Sequence, residues 1–324
     1  MGSFGSFSSL GSSGDDVGLM VGSALDTSLI VTKIAMMVVA AGALTYLGTK
    51  AVRDKRAGRN IVTIDVFVGA TLACDLLMLV SWCASNYLVS DALQCKISFV
   101  IDYIGGIGGE LVMCCFAHFS HLIIAASTCD RHRRAGTILN PSYGVYFSVS
   151  IISVAVLTLI VLMRGMGDFT GDNQDMCWFI SDYHHYAIWW FELPRSLLTI
   201  ATLTYLSLGF RLIMRQRGVT GGEQTNAYVW RYVLYSFPTP LVRIIPTVAN
   251  AALDVYLAET DSSDYYDSTF SHFLFMVSVT PALLTVIAYT VPRVYFARKE
   301  RAQALATKAK ACHRYQAIPY SDEV

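Results

Sequence analysis

Nine ionisable side chains interrupt stretches of the sequence that are otherwise apolar: Lys33, Asp65, Asp75, Asp102, Glu110, Glu192, Arg195, Arg243 and Asp254. A charge at the centre of a membrane-spanning helix costs about 2.5–3.5 kcal/mol on insertion scales, so each should face other helices or a wet cavity rather than lipid. Asp65 and Lys33 lie near the ends of their stretches, where a side chain can snorkel to the headgroups. Asp75 and Glu110 lie deeper. They read first as a buried polar network holding helices together, and second as a pivot for switching. Glu192 and Arg195 stand three positions apart on one helical face, either as a mutual pair or as contacts for a ligand. Asp102, Glu192, Arg195 and Arg243 fall in the outer half or near the midplane, and Trp189 stands at the same outer edge. These five are the candidate ligand-binding residues. Their mixture of signs admits an anionic, cationic or zwitterionic small molecule, or a peptide.

Other chemistries find less support. His184 and His185 lack a third ligand at metal spacing, so no zinc site is expected. No catalytic constellation stands out, which reads as a protein that is not an enzyme and needs no cofactor. Gly105-x-x-x-Gly109 lies inside an apolar helix, where it is a close-packing face rather than a phosphate loop. A retinal Schiff base would need a lysine in the last apolar stretch, and residues 269–292 contain none.

The elements that must carry these residues follow from composition. The chain has 324 residues, of which 54% are hydrophobic and only 15% charged, against roughly 25% charged in soluble domains. Mean hydropathy is +0.47. Lys+Arg and Asp+Glu both number 24, which excludes a polybasic nucleic-acid binder. Seven stretches are long and apolar enough to cross a bilayer: 28–49, 61–87, 97–128, 143–163, 186–210, 232–255 and 269–292. Without water to satisfy bare backbone, each must be a helix.

Charge in the connecting segments sets the orientation. Segments 50–60, 129–142, 211–231 and 293–324 hold 19 Lys/Arg and 6 acids, whereas 1–27, 88–96, 164–185 and 256–268 hold 2 and 12. Basic residues remain on the cytoplasmic side. The expectation is an all-α membrane protein of the plasma membrane, a seven-transmembrane helix bundle with its N-terminus outside. Residues 1–27 form a disordered extracellular N-terminus, 28–292 the bundle, and 293–324 a short amphipathic cytoplasmic helix and tail. The Gly/Ser-rich start offers no secretory signal. Cys95 and Cys177 alone lie on the oxidising side. They read as one disulfide pinning the 164–185 loop over the bundle, the alternative being two free thiols.

Seven helices, an outside N-terminus and a cysteine joining the third span to the second outer loop resemble a G-protein-coupled receptor. The rhodopsin-like branch fits poorly. Asp130-Arg131-His132 suggests its helix-three motif, but Arg131 lies 36 residues after Cys95, about 54 Å of helix. Thr280-Pro281-Ala282-Leu283-Leu284 lacks that branch's helix-seven Asn and Tyr. Cys177-Trp178-Phe179-Ile180, the aromatic fifth span through Pro194, Arg243-Ile244 with Asn250, and His118-Phe119 with His121-Leu122 resemble the cyclic-AMP receptors of social amoebae. The likeness covers roughly 28–297, and the tail is shorter than the phosphorylatable tails of that family.

The resemblance implies an extracellular ligand entering beneath the 164–185 loop, a swing of helix six, and activation of a heterotrimeric G protein. Arg131, Arg133, Arg134, Arg211, Arg215 and Arg217 would then meet that partner, although topology alone also accounts for arginines there. The competing function is a seven-helix transporter or channel for a small polar solute or ion, to which intramembrane acids are equally suited.

Overall fold

A computed structural model of the chain describes residues 15–58, 63–87, 92–128, 143–163, 188–216, 237–259 and 269–316. Every extended element among them is a helix. In chain order these are α1 (Asp15–Arg56), α2 (Thr63–Tyr87), α3 (Ala92–Thr128), α4 (Tyr143–Met163), a π-helical turn (Ile188–Glu192) running into α5 (Leu193–Gln216), α6 (Pro238–Glu259), α7 (Thr269–Ser278) and α8 (Pro281–Gln316). Among the described residues, five helices are long and apolar enough to cross a membrane, over Thr27–Arg56, Ile64–Ala84, Leu93–Ala125, Val145–Met163 and Trp189–Arg215.

The packing runs opposite to that of a water-soluble bundle. Large apolar side chains such as Val38, Ile151, Leu159, Ile200 and Val248 point outward, while Asp75, Glu110, Arg243, Thr71 and Thr285 are buried. Hydrocarbon is as good a solvent for leucine as a protein core, whereas a charge or hydroxyl finds partners only inside. This arrangement is consistent with a membrane protein. The central rod is α3: 67% of its most apolar window is buried, against 17% for α1. It packs chiefly on α2 and α5.

Glycine permits that closeness. A Cβ added to Gly105 would lie 2.8 Å from both the Cys74 carbonyl oxygen and the Met78 nitrogen, so α2 and α3 touch backbone to backbone. One turn on, a Cβ at Gly109 would stand 3.0 Å from the Arg243 guanidinium. The Gly105/Gly109 face expected from the sequence is therefore the face used. Below it a second layer is aromatic, with Phe67 stacked on Phe116 at 5.4 Å and on Phe147 at 5.6 Å.

Prolines shape the remaining helices, and each freed carbonyl tells how. Pro194 cannot donate to the Trp190 carbonyl, and the Tyr103 hydroxyl donates to it instead at 3.0 Å. Pro281 cannot serve Val277, whose carbonyl receives the Thr280 hydroxyl at 2.7 Å and the Thr280 N–H at 3.1 Å. Residues preceding proline avoid the helical region and proline favours the first helical position. The stretch 269–292, expected as one rod, is consequently two helices with a break between Ser278 and Pro281.

Two boundaries differ from expectation. Helix α1 begins at Asp15, so the second half of the supposed disordered N-terminus is helical. At the other end, residues 293–316 form no separate amphipathic helix. They continue α8 without interruption through Pro292. Helix α1 ends at Arg56, and in the turn beyond it Gly58 takes a φ of 66° and donates its N–H to the Lys55 carbonyl at 3.1 Å.

Candidate functional site

Asp75, Glu110 and Arg243 gather into one buried layer. Arg243 reaches from α6 across to α2, where its Nη1 lies 2.9 and 2.8 Å from the two carboxylate oxygens of Asp75. The same nitrogen is 3.4 Å from the Thr285 hydroxyl on α8. Its other terminal nitrogen is 3.7 Å from Glu110 on α3. Thr247, one turn along α6, shares its hydroxyl between Glu110 and the Arg243 carbonyl, each at 2.9 Å. One guanidinium thus ties four helices together. Gly109 leaves room for it: an added Cβ would stand 3.0 Å from this guanidinium and oblige it to shift.

A second cluster adjoins the first. Glu192, at the end of the π-helical turn, accepts hydrogen bonds from Arg195 at 2.8 Å and from Asn250 of α6 at 2.9 Å. The Arg195 guanidinium also stands 5.1 Å from the Phe191 ring centroid. The wide π turn, frequent at functional sites, brings both Phe191 and Glu192 to the inside. Glu192 and Arg195 are therefore a mutual pair, one of the two alternatives left open by their spacing.

Between the clusters lies a narrow cavity bounded by Trp82, Gly106, Glu110, Arg195, Arg243 and Asn250. Its volume is about 10 Å³, on the order of one water molecule. Ser278 and Pro281, the two sides of the α7/α8 break, also reach this cavity. Asp102 stands above it on α3, only 2% exposed. Neither of its oxygens meets a donor in good hydrogen-bonding geometry among the described residues, and Trp82, Arg195 and Lys33 face it.

Of the five candidate ligand residues, the structure brings together Glu192, Arg195 and Arg243, with Asp102 at the edge. Trp189 does not join them. It is 65% exposed, because the helical phase that turns Phe191 and Glu192 inward turns Trp189 toward lipid. Asp75 and Glu110 form the network expected of them. Thr247 and Thr285 are members that the sequence did not single out, and Asn250, noted there only for the resemblance of helix six, is a third. Thr247 and Asn250 follow Arg243 at i+4 and i+7, a spacing that places them on the same face.

Lys33 and Asp65 are the other corrections. Neither snorkels. Lys33 is 3% exposed and sits 5.0 Å from the Phe275 ring centroid, because α7 packs over it. Asp65 is covered by α1 and α8. It accepts hydrogen bonds from Tyr289 at 2.8 Å and Arg293 at 2.6 Å, and it pairs with Lys50.

Arg211 and Arg215 are exposed near the end of α5. Arg131, Arg133, Arg134, Arg217 and Cys177 lie outside the described residues, as does the side chain of Asp254, whereas Cys95 is buried in the first turns of α3. No protein-family model matches the chain, and no similar curated protein was found.

Proposed function

We propose that this protein is a seven-span plasma-membrane receptor, with its N-terminus outside, that signals through a heterotrimeric G protein. The observation that carries this reading is the Arg243 junction. Helix α6 is fastened to α2, α3 and α8 through one buried guanidinium, and to the start of α5 through Asn250 and Glu192. A ligand polar group entering from the outer side would compete for Glu192, Arg195 or Asp102. Releasing Asn250 loosens the hold on α6, and Pro246 within that helix gives it a point at which to bend. The cytoplasmic ends of helices five and six then part, presenting the arginines of the inner loops to the G protein.

The one-water cavity suits a resting state, in which ligand binding must expand the space between α5, α6 and α3. A disulfide between Cys95 and Cys177 would hold the outer loop over that entrance. The test is nucleotide exchange on purified G proteins by the reconstituted protein, challenged with a broad panel of small polar molecules. Stimulation that Glu192→Gln abolishes is expected. Silence across panel and G-protein classes counts against the receptor.

A transporter or channel is the second reading, favoured by the α7/α8 break facing a charged cavity. Interrupted helices at midplane are a device for holding ions and polar substrates. Solute uptake or current in liposomes would replace the first reading by this one.

A further inference from the structure

The cytoplasmic end of the bundle carries a charge arrangement that the receptor reading leaves unused. Lys50 of α1 and Arg293 of α8 bind opposite oxygens of the same Asp65 carboxylate, so the two helices converge there with two cations sharing one anion. Each then continues beyond that point. On α8 the outward face reads Val291, Val294 and Tyr295, exposed by 58%, 50% and 61%, and then Arg298, one turn further. On α1 it reads Tyr46, Thr49, Arg53 and Arg56, all exposed. These spacings of three and four residues keep each set on one helical face.

Both faces therefore change from apolar to cationic without changing direction. The arginines stand where the lipid-facing stripe leaves the hydrocarbon, about 4.5 Å of helix past Tyr295 in the case of Arg298. Topology explains why basic residues lie on this side of the membrane. It does not explain why they extend the lipid-facing stripe on two helices fastened to one acid. A singly charged lipid would satisfy one of them. Arg53, Arg56, Arg298 and Arg301, all exposed, match several phosphates at once, and guanidinium forks suit phosphate oxygens.

We propose that the seam between the end of α1 and the middle of α8 binds the multiply phosphorylated headgroup of a phosphoinositide in the cytoplasmic leaflet. The acyl chains lie along Tyr46 and Val291–Tyr295, and the phosphates lie against the four arginines. The proposal rests on the orientation proposed above but not on receptor activity. Nanodiscs expose both faces, so lipid binding is read whether or not the protein signals.

The probe is fluorescent phosphatidylinositol 4,5-bisphosphate titrated into phosphatidylcholine nanodiscs holding the full chain at physiological salt. Binding is expected to weaken by roughly fivefold for Arg53→Gln and again for Arg298→Gln, about 25-fold together, from the usual contribution of a basic residue near an anionic surface. All these side chains are exposed, so folding is not at stake. Arg211→Gln with Arg215→Gln on α5 removes the same charge and should leave binding within about twofold. Two results would overturn the site: an equal loss in the α5 control, or displacement by phosphatidylserine at matched total charge. Equal displacement by the free inositol phosphate headgroup would overturn the lipid as its occupant.

Discussion

Two clusters in this molecule use the same side-chain types at different depths, and their charges are unbalanced in opposite directions. The central layer sets three carboxylates, Asp75, Glu110 and Glu192, against two guanidiniums, and all five residues are less than 9% exposed. The other cluster sets one carboxylate, Asp65, against Lys50 and Arg293, whose side chains are 27% and 26% exposed. In the centre Glu110 is left with a distant guanidinium and a shared hydroxyl, so the network has spare acceptor capacity that an arriving donor can claim. In the Asp65 cluster the single acid is saturated by three groups from two helices. The first arrangement can be rearranged; the second fixes α1, α2 and α8. A moving α6 against a fixed α1/α2/α8 base is the mechanical division that the receptor reading requires.

The sharpest way to break this contrast is to remove Arg243. Arg243→Leu leaves Asp75 and Glu110 buried without their cation, at a cost of about 3–5 kcal/mol. Thermal unfolding in detergent should show a larger fall than either Gly105→Ala or Asp65→Asn produces, with little dependence on salt, because buried pairs are poorly screened. Adding Asp75→Leu and Glu110→Leu to Arg243→Leu should restore most of the loss. If the triple replacement is as unstable as the single one, the layer holds the fold through packing rather than charge.

Next in size is the glycine face on which the central layer depends. Gly105→Ala drives a methyl to 2.8 Å from α2 backbone, which neither helix can relieve by a rotamer change. Overpacking of this kind costs about 1–3 kcal/mol. Gly42→Ala and Gly48→Ala, where an added Cβ meets nothing within 4 Å, are the matching controls and should be neutral or slightly stabilising. Equal effects at all three positions would remove backbone contact as the reason for the α2–α3 closeness.

Asp65→Asn probes the other side of the comparison. Its two cations reach water, so the loss is expected to be on the order of 1 kcal/mol. Unlike that of Arg243→Leu, the penalty should shrink as salt is raised, since partly exposed charges are screened. Unfolding curves of both variants at low and high salt test this directly. A salt-insensitive Asp65→Asn would mean that the Asp65 cluster is as dry as the central one.

How much of this is legible in the sequence depends on the range of the interaction. The apolar windows, the Gly105/Gly109 face and the Glu192/Arg195 pair are local, and period and spacing expose them. The partners of Arg243 are not. Asp75 lies 168 positions away and Glu110 on another helix, and nothing in a hydropathy pattern couples them. Trp189 escapes the sequence reading because a π turn adds a residue to the helical phase just before α5, which no propensity announces. The break at Pro281 is visible as a proline but not as an interruption, since prolines inside membrane helices usually kink without ending them. Distance from the span ends alone sends Lys33 and Asp65 to the headgroups. The helices that cover them, α7 and α8, come from the far end of the chain.

The smallest expected effect tests the outer rim of the contrast, where the central layer meets the start of α5. Tyr103 of α3 is fully buried against the start of α5, and its hydroxyl donates to the Trp190 carbonyl, to which Pro194 cannot. Tyr103→Phe keeps the ring, which packs on Phe191 at 5.8 Å, and removes only that hydrogen bond. Interhelical bonds inside membranes average about 0.6 kcal/mol, so stability should fall by roughly that amount. The functional shift should be larger than the stability shift suggests, because this bond holds the π turn that aims Glu192 at Asn250. Combining Tyr103→Phe with Pro194→Ala supplies the carbonyl with a backbone donor again and should recover the lost stability while straightening the turn. Recovery of stability together with unchanged Glu192 function would show that the π turn is incidental. Recovery of stability with impaired function would show that the bent start of α5 is what positions the charged layer.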